Sequence, residues 1–315
     1  MTTFEKTPFP AYSDNPKVCV VLPTFNGTLY LEQVVIKFVH QSYQNFELII
    51  VDDGSKEIDK VYWDKLKSYS KKITVIHQAN QGRAASRNNG VLHSSGEIIV
   101  FIDDDIFISE TFLFDHVQFH LNNANCALVG RIVESCSKED RDFIHFKRFL
   151  SDSWQSDLVS AGLHAMTVQN LFLTAANFSI SRFLFLHLEG FDARLRDCED
   201  FDLGIRLLKE KIPVYFNPFI IGVHNDKLTC EAYINRRREY SVALLKLKVL
   251  KPDLGIQSVN LRSENHSVRK RLLVRLFGFS VWKVIIDKFN FLKFLPKKLR
   301  YKIYEWVVYA GSFTS

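Results

Sequence analysis

The chain has 315 residues, 47% hydrophobic and 24% charged, a balance that excludes collagen-like, disordered and disulfide-scaffold classes and leaves room for one large domain or two ordinary ones. Its formal charge of +6 is the sum of two opposed regions. From Glu231 onward 18 Lys and Arg face 6 Asp and Glu, a net of +12, while the first 230 residues hold 23 basic against 29 acidic, a net of −6.

In chain order, residues 1–16, MTTFEKTPFPAYSDNP, are polar and lack the apolar stretch of a secretory signal. Four short apolar runs rich in β-branched residues follow: Val18–Leu22, Glu47–Val51, Ile73–Ile76 and Glu97–Ile102. Each is nearly continuous, as strands buried on both faces require, and their starts fall 24 to 29 residues apart, close to the ~30-residue βαβ repeat. The segments between them, Tyr30–His40, Ile58–Tyr69 and Ser86–His93, read as helices. An α/β fold follows, with a mostly parallel, Rossmann-like sheet and helices on both faces.

In such sheets ligands sit outside the carboxyl ends of the strands. The first run is followed by Pro23-Thr24-Phe25-Asn26-Gly27, the second by Asp52-Asp53-Gly54-Ser55 and the fourth by Asp103-Asp104-Asp105. Neither G-x-G-x-x-G nor G-x-x-x-x-G-K-[ST] occurs in the first turn, which disfavours a dinucleotide oxidoreductase and a P-loop NTPase. Three consecutive aspartates crowd negative charge, and a divalent cation, Mn²⁺ or Mg²⁺, is the natural compensator for such hard oxygen ligands. The alternative is a solvated turn in which Asp105 caps the next helix.

The five cysteines, Cys19, Cys126, Cys136, Cys198 and Cys230, form no C-x-x-C pair, so neither a zinc ribbon nor a disulfide framework is indicated. The one charge-free stretch longer than 18 residues, 158–181, is broken by Ser, Gly, His, Thr, Gln and Asn, which argues against a transmembrane helix. The expected location is the cytoplasm, or a peripheral position on the inner face of the plasma membrane.

Val20-Val21-Leu22-Pro23-Thr24-Phe25-Asn26, Val51-Asp52-Asp53-Gly54-Ser55, Asn80-x-Gly82-x4-Arg87-Asn88-x-Gly90, Phe101-Ile102-Asp103-Asp104-Asp105, Asn177-Phe178-Ser179, Gly190-Phe191-Asp192 and Glu199-Asp200 with Arg206 stand in an order and spacing that resemble the family 2 glycosyltransferases of GT-A fold. The resemblance covers about Lys17 to His224. It implies a metal-dependent, inverting transfer from a nucleoside diphosphate sugar, with UDP favoured, to a saccharide or lipid-linked acceptor, of the kind that builds bacterial cell-surface polysaccharide. Asp53 resembles the carboxylate that accepts from the base, and Pro23, Thr24 and Asn26 the floor beneath base and ribose. Arg87 and Arg83 fall where a cation faces the nucleotide. Asp103 and Asp105 match the D-x-D pair that binds ribose and metal; a register shifted by one would bring Asp104 to the nucleotide instead. Glu199-Asp200 falls on the E-D motif, making Asp200 the general base and Glu199 the neighbour that raises its pKa or orients the acceptor. Composition alone reads the same acidic cluster as charge favoured in a first helical turn, with Asp197 and Asp200 resembling a cap pair. His224, closing the apolar run Phe219–Val223, lies where family members often carry a histidine near the metal; a satisfied strand-end histidine is the alternative.

His116 and His120 share a helix face at i, i+4, but without a third ligand they read as surface residues. The region Ser135–Asn170 lacks periodicity; by the resemblance it faces the acceptor through Arg148, Trp154 and neighbours, or else packs on the core. Beyond Glu231 helical periodicity takes over. Trp282, Ile285, Ile286 and Phe289 form an i, i+3, i+4, i+7 stripe, and KFLPKKLRYKIYEWVVY mixes basic and aromatic residues in a way that suits an anionic membrane surface and equally a subdomain packed on its apolar face. The expected division is a polar segment 1–16, a catalytic domain 17–230 with a nucleotide-sugar half 17–133 and an acceptor half 134–230, and a helical basic region 231–315. Two competing functions are a nucleotidyltransferase on a related α/β sheet, which would release pyrophosphate, and a basic membrane- or nucleic-acid-binding protein. The first lacks a phosphate loop after strand one. Nucleic-acid binding lacks any helix-turn-helix, RNP or zinc signature.

Overall fold

The computed structural model describes residues 11–56, 58–254 and 268–312. The first ten residues of the polar amino-terminal segment, and 255–267 and 313–315 of the basic region, lie outside the described residues.

Strand β1 (Val18–Thr24) is buried along its whole length, which is why its sequence is continuous and does not alternate. Helix α1 (Thr28–Val39) lays Leu31, Val34, Val35 and Phe38 on the sheet at helical spacing. Then come β2 (Phe46–Asp52), α2 (Lys60–Ser68), β3 (Ile73–His77) and α3 (Arg83–Leu92). Asp59 caps α2 by accepting from the Tyr62 amide at 2.9 Å. Helix α3 begins three residues before the expected Ser86 start, and so carries Arg83 as well as Arg87. After β4 (Ile98–Ile102) the chain turns through the aspartate triplet into β5 (Ile106–Ile108) and α4 (Phe112–Asn122). The remainder runs β6 (Ala127–Glu134), α5 (Asp142–Ser160), β7 (His164–Ala165), β8 (Asn177–Ser181), α6 (Arg182–His187), α7 (Glu199–Lys209) and β9 (Val214–His224).

Nine strands among the described residues form one sheet in the order β3-β2-β1-β4-β8-β6-β9-β5, with β7 paired to β9. β1, β2, β3 and β4 are mutually parallel; β8 runs antiparallel to β4, and β5 antiparallel to β9. Register fixes the site. Thr24 lies opposite Asp52 and Asp52 opposite His77, so the carboxyl ends of three parallel strands finish flush. Ile106 lies opposite His224, which brings the end of the aspartate triplet to the end of β9.

His116 and His120, expected at the surface, are fully buried on α4. Both sit 2.8 Å from Ser179 Oγ on β8, and His116 Nε2 lies 3.2 Å from Asn177 Oδ1. Their i, i+4 spacing reflects a polar seam against the sheet, where hydrogen bonding to β8 offsets the cost of burial. Burial holds the imidazoles neutral, pushing His116 down to about 4 and His120 to about 3.

The chain divides into two compact units. One runs to Ile132 and resumes over Asp157–Asn225; it contains the sheet just described except the last two residues of β6. The other takes Val133–Ser156 and everything from Asp226, so part of the expected acceptor half belongs with the basic region. This second unit contains α8 (Cys230–Leu250), α9 (Val268–Phe277), α10 (Val281–Val284) and α11 (Lys297–Gly311). Its core gathers Phe143, Phe146, Tyr233, Ile234, Ile286 and Tyr304. There Tyr304 Oη donates to Asp142 at 2.9 Å, and Arg300 Nε lies 2.9 Å from the same carboxylate.

The Trp282 to Phe289 stripe does not form one α-helix. After α10 the chain widens into a π-helical turn over Ile285–Phe289, which Asn290 ends in the left-handed conformation, φ 54°. The change of pitch turns Ile286 into the core and leaves Phe289 in solvent.

Candidate active site

The site lies at the carboxyl ends of the parallel strands, within the first unit. Pro23 and Thr24 end β1, both buried. Thr24 Oγ1 donates to Asp104 Oδ2 at 2.5 Å. The next turn passes Asn26 in the left-handed region, φ 52°, and Gly27, whose missing side chain leaves room for the aspartate. A Cβ on Gly27 would meet Asp104 Oδ2 at 1.8 Å and Thr24 Oγ1 at 2.9 Å. Asn26 is tied to the second strand's turn, its amide donating to Ser55 Oγ at 2.9 Å and its Oδ1 accepting from the Lys56 amide at 3.3 Å.

Asp53 is buried and organises the following segment. Its Oδ1 accepts from Gln78 Nε2 at 2.8 Å and from the Gln81 amide at 2.9 Å, and its Oδ2 from the Gly82 amide at 2.8 Å. Three of a carboxylate's about four lone-pair positions are thus used, and one on Oδ2 remains. The neighbouring Asp52 accepts from the Ser55 amide and lies 2.9 Å from His77 Nδ1, which locks the end of β2 to the end of β3.

Arg87 is the centre of the arrangement. Its guanidinium, 2% exposed, donates from Nη2 to Asp103 Oδ1 at 2.5 Å and from Nη1 to Glu199 Oε1 at 2.7 Å. It therefore joins the aspartate triplet after β4 to the first turn of α7. Arg83, one turn earlier on α3, is about two-fifths exposed and lies 3.7 Å from Asp197. Burial alone would raise the Asp103 carboxyl, but Arg87 and Arg83 outweigh it and hold the group below its ordinary value. Partial desolvation of the partly exposed Arg83 works against its charge, but Asp103, Glu199, Asp197 and Asp200 outweigh it and hold the guanidinium protonated. Asp104 has no such cation: burial, with Asp105 and Asp103 adding repulsion, pushes it up to about 7 against the opposing Thr24 hydrogen bond.

Glu199 and Asp200 open α7, where unpaired amides favour negative charge. Asp197 is not the cap. The N-cap is Cys198 in the left-handed conformation, φ 65°, with Asp197 Oδ1 accepting from its amide at 3.0 Å. Asp200 Oδ1 accepts from the Phe201 amide at 2.7 Å, and Oδ2 from the Ala175 amide at 3.4 Å. Its carboxyl is lifted to about 7 by burial and by the charges of Glu199 and Asp197, with Arg87 pulling the other way. The preceding turn is fixed from both sides. Asn88 exchanges two hydrogen bonds with the Phe191 backbone, at 2.7 and 2.9 Å, and Arg206 donates to the carbonyls of Leu188 and Gly190 while pairing Asp202 at 2.9 Å. Asn88 and Arg206, both part of the motif string, thus brace the turn that precedes α7. Their signal in the sequence was position alone.

Asp105 and His224 meet where β5 pairs with β9. His224 Nε2 lies 3.3 Å from Asp105 Oδ2, and the Asn225 amide donates to the Asp105 carbonyl at 3.0 Å. Asp105 Oδ1 is buried and accepts no hydrogen bond. Such an orphaned carboxylate oxygen is costly unless a cation completes it. Among the described residues no set of three or more His, Cys, Asp or Glu is arranged to hold a metal, and Asp103 Oδ1 is committed to Arg87. The donor set is therefore one carboxylate and one imidazole. It fits a divalent cation that takes its remaining ligands from phosphate oxygens and water.

The sequence model of Glycosyl transferase family 2 matches residues 19–188, more than half of the chain. An uncharacterized glycosyltransferase of Haemophilus influenzae is 35% identical over 109 residues, covering 34% of this chain and 44% of that protein, so the chain spans less than half of this relative's length. Among solved structures, the mannosyltransferase PcManGT from Pyrobaculum calidifontis, in complex with GDP-Man and Mn²⁺, superposes with a TM-score of 0.61 at 17% identity, covering 98% of this chain and 90% of that one. S. aureus TarS 1–349 in complex with UDP gives 0.54 at 15% identity, covering 94% and 89%. At these identities the likeness to the two structures is one of fold.

Proposed function

Since the chain belongs to glycosyl transferase family 2 and has the GT-A fold, we propose that it transfers a sugar, with inversion at the anomeric carbon, from a nucleoside diphosphate sugar to an acceptor hydroxyl. The observation that carries this reading is the Arg87 bridge, because it sets the donor-side Asp103 and the acceptor-side Glu199 on one buried guanidinium. Asp200, beside Glu199, is the general base. A carboxyl lifted to about 7 is matched to accepting a hydroxyl proton near neutral pH, and its Oδ2 keeps only one long bond, to Ala175. Glu199, anchored on Arg87, orients its neighbour and maintains the negative field that raises it.

On the donor side, Asp53 offers its remaining Oδ2 lone pair to a base N–H, and the turn it organises with Pro23, Thr24 and Asn26 forms the floor. A uracil imide N–H suits that acceptor, and UDP is the nucleotide bound by TarS, while PcManGT is in complex with GDP-Man. Arg83 and Arg87 supply positive charge near the diphosphate. Asp105 and His224 are the residues that would hold a divalent ion, and the imidazole favours Mn²⁺ over Mg²⁺. Such an ion, when bound, offsets charge on the departing diphosphate. The acceptor is a saccharide or lipid-linked glycan, consistent with a surface-polysaccharide role. Nucleoside diphosphate release from a panel of UDP-, GDP- and dTDP-sugars, with and without Mn²⁺, tests the reading. Release of pyrophosphate in place of nucleoside diphosphate would sink it.

A further inference from the structure

Within the second unit, the stretch from Lys288 to Leu299 exposes more apolar surface than its rigid setting requires. Phe289 and Phe291 stack on each other in solvent, centroids 5.3 Å apart, and Phe294 is 78% exposed with Lys293 Nζ 5.1 Å from its ring centre. Exposed aromatic side chains of this size cluster where a surface is meant to be covered. The backbone that presents them is well anchored. Asn290 turns the chain and accepts from the Asp142 amide at 3.3 Å, Leu292 is buried in the unit's core, and Arg300 Nη1 donates to the carbonyls of Lys293 and Leu295 at 3.1 and 2.9 Å. The rings are thus held outward by a built support.

Charge identifies the occupant. Lys288, Lys293, Lys297 and Lys298 are all exposed among these rings, and no acidic residue occurs from Lys288 to Tyr304. Arg300 is spent inward on Asp142, whereas the four lysines have no carboxylate partner among the described residues. A second protein surface would need its own matched carboxylates in register with the lysines. A bilayer needs none, because anionic headgroups are mobile and the acyl boundary accepts Phe and Leu to a shallow depth. No described helix is long and apolar enough to cross a membrane, so the contact is with the surface.

We propose that Lys288–Leu299 is a docking surface for the anionic phospholipid face of a bilayer, with Phe289, Phe291, Phe294 and Leu299 entering the interface and the four lysines meeting phosphate headgroups. This deepens the reading of a lipid-linked acceptor by naming the segment, and it rests on geometry that the transfer chemistry does not share. The test uses the full chain without donor: sedimentation with phosphatidylcholine vesicles containing phosphatidylglycerol, and with phosphatidylcholine alone. The expected result is binding to the anionic vesicles only, weakened at ~0.5 M salt, where screening is short-ranged. F291S/F294S and K293E/K298E should each lower the partition coefficient about tenfold or more with unchanged thermal unfolding. Equal partition of wild type and both variants would overturn the proposal. So would a change of oligomeric state in F291S/F294S with vesicle binding unaltered, which would assign the face to a second copy. Either failure leaves the assignment of Asp200 untouched, since no turnover is read.

Discussion

Arg87 Nη1 and Glu199 Oε1 meet at 2.7 Å across 112 positions of sequence, with both side chains buried. The same guanidinium holds Asp103, so one cation neutralises two carboxylates that lie on opposite sides of the proposed reaction. Arg87→Met leaves Glu199 buried and unpaired and takes the guanidinium from the partly exposed Asp103; it should cost about 3–5 kcal/mol in denaturant unfolding. Arg87→Lys keeps the charge and loses the fork, so it should recover part of the stability while turnover stays low. Equal stability of Arg87→Met and wild type would show that the bridge is not formed.

Asp200 makes opposite demands on activity and stability. In its proposed role as base it must be ionised, so turnover should rise with pH through about 7. Its folded pKa stands above the unfolded value of about 3.9. The stability this gives the protonated form is full below about 4 and is lost as pH rises through 7. Asp200→Asn should therefore lower turnover by roughly 10²–10⁴, leave donor binding intact, and unfold at a higher temperature than wild type at pH 8. Calorimetry at pH 5 and pH 8 checks the sign.

Asp105→Asn and His224→Ala each remove one of the two proposed protein donors for a divalent ion. Mn²⁺ affinity, followed by electron paramagnetic resonance with UDP present, should fall at least about tenfold in each variant, the size of effect typical when a metal site loses a supporting group. Retained affinity in both would move the ion to Asp103.

Gly190 is left-handed, φ 66°, and a Cβ there would meet Asn88 Oδ1 at 2.7 Å and the Phe185 ring at 3.0 Å. Gly190→Ala is expected to destabilise by about 1–3 kcal/mol. Because the displaced turn precedes α7, it should also reduce turnover more than donor affinity.

His116 and His120 are held neutral, at about 4 and 3, against about 6.5 unfolded. Folded pKa values below the unfolded ones give stability that is full above 6.5 and is lost as pH falls from there toward 4. Thermal unfolding should therefore drop steeply below pH 6, and His120→Gln should flatten that limb.

Local burial is written into the sequence, and long-range pairing is not. The four strands and the acidic residues at their ends were legible because a strand buried on both faces must be apolar throughout, so its polar successor stands out. Arg87 read as a residue facing the nucleotide, and no local pattern shows that it spans to Glu199. His116 and His120 looked exposed because their partners, Ser179 and Asn177, lie about 60 positions away on β8. Within Ser135–Asn170, which gave no periodicity, Phe143 and Phe146 pack against helices from the far end of the chain, a partner no local pattern shows. The break after Val284 was hidden because a π turn preserves apolar composition while changing its phase.

The hydrogen bond from Tyr304 to Asp142 spans 162 residues, and this has a consequence for synthesis. Phe143 and Phe146 leave the ribosome long before the helices that cover them. At about 5–20 residues per second their rings wait on the order of 10–30 s without Tyr301 and Tyr304. A premature stop anywhere before α11 would make that wait permanent. Shortening the carboxyl-terminal region should therefore cause precipitation of the whole nascent chain, not the release of a smaller active enzyme.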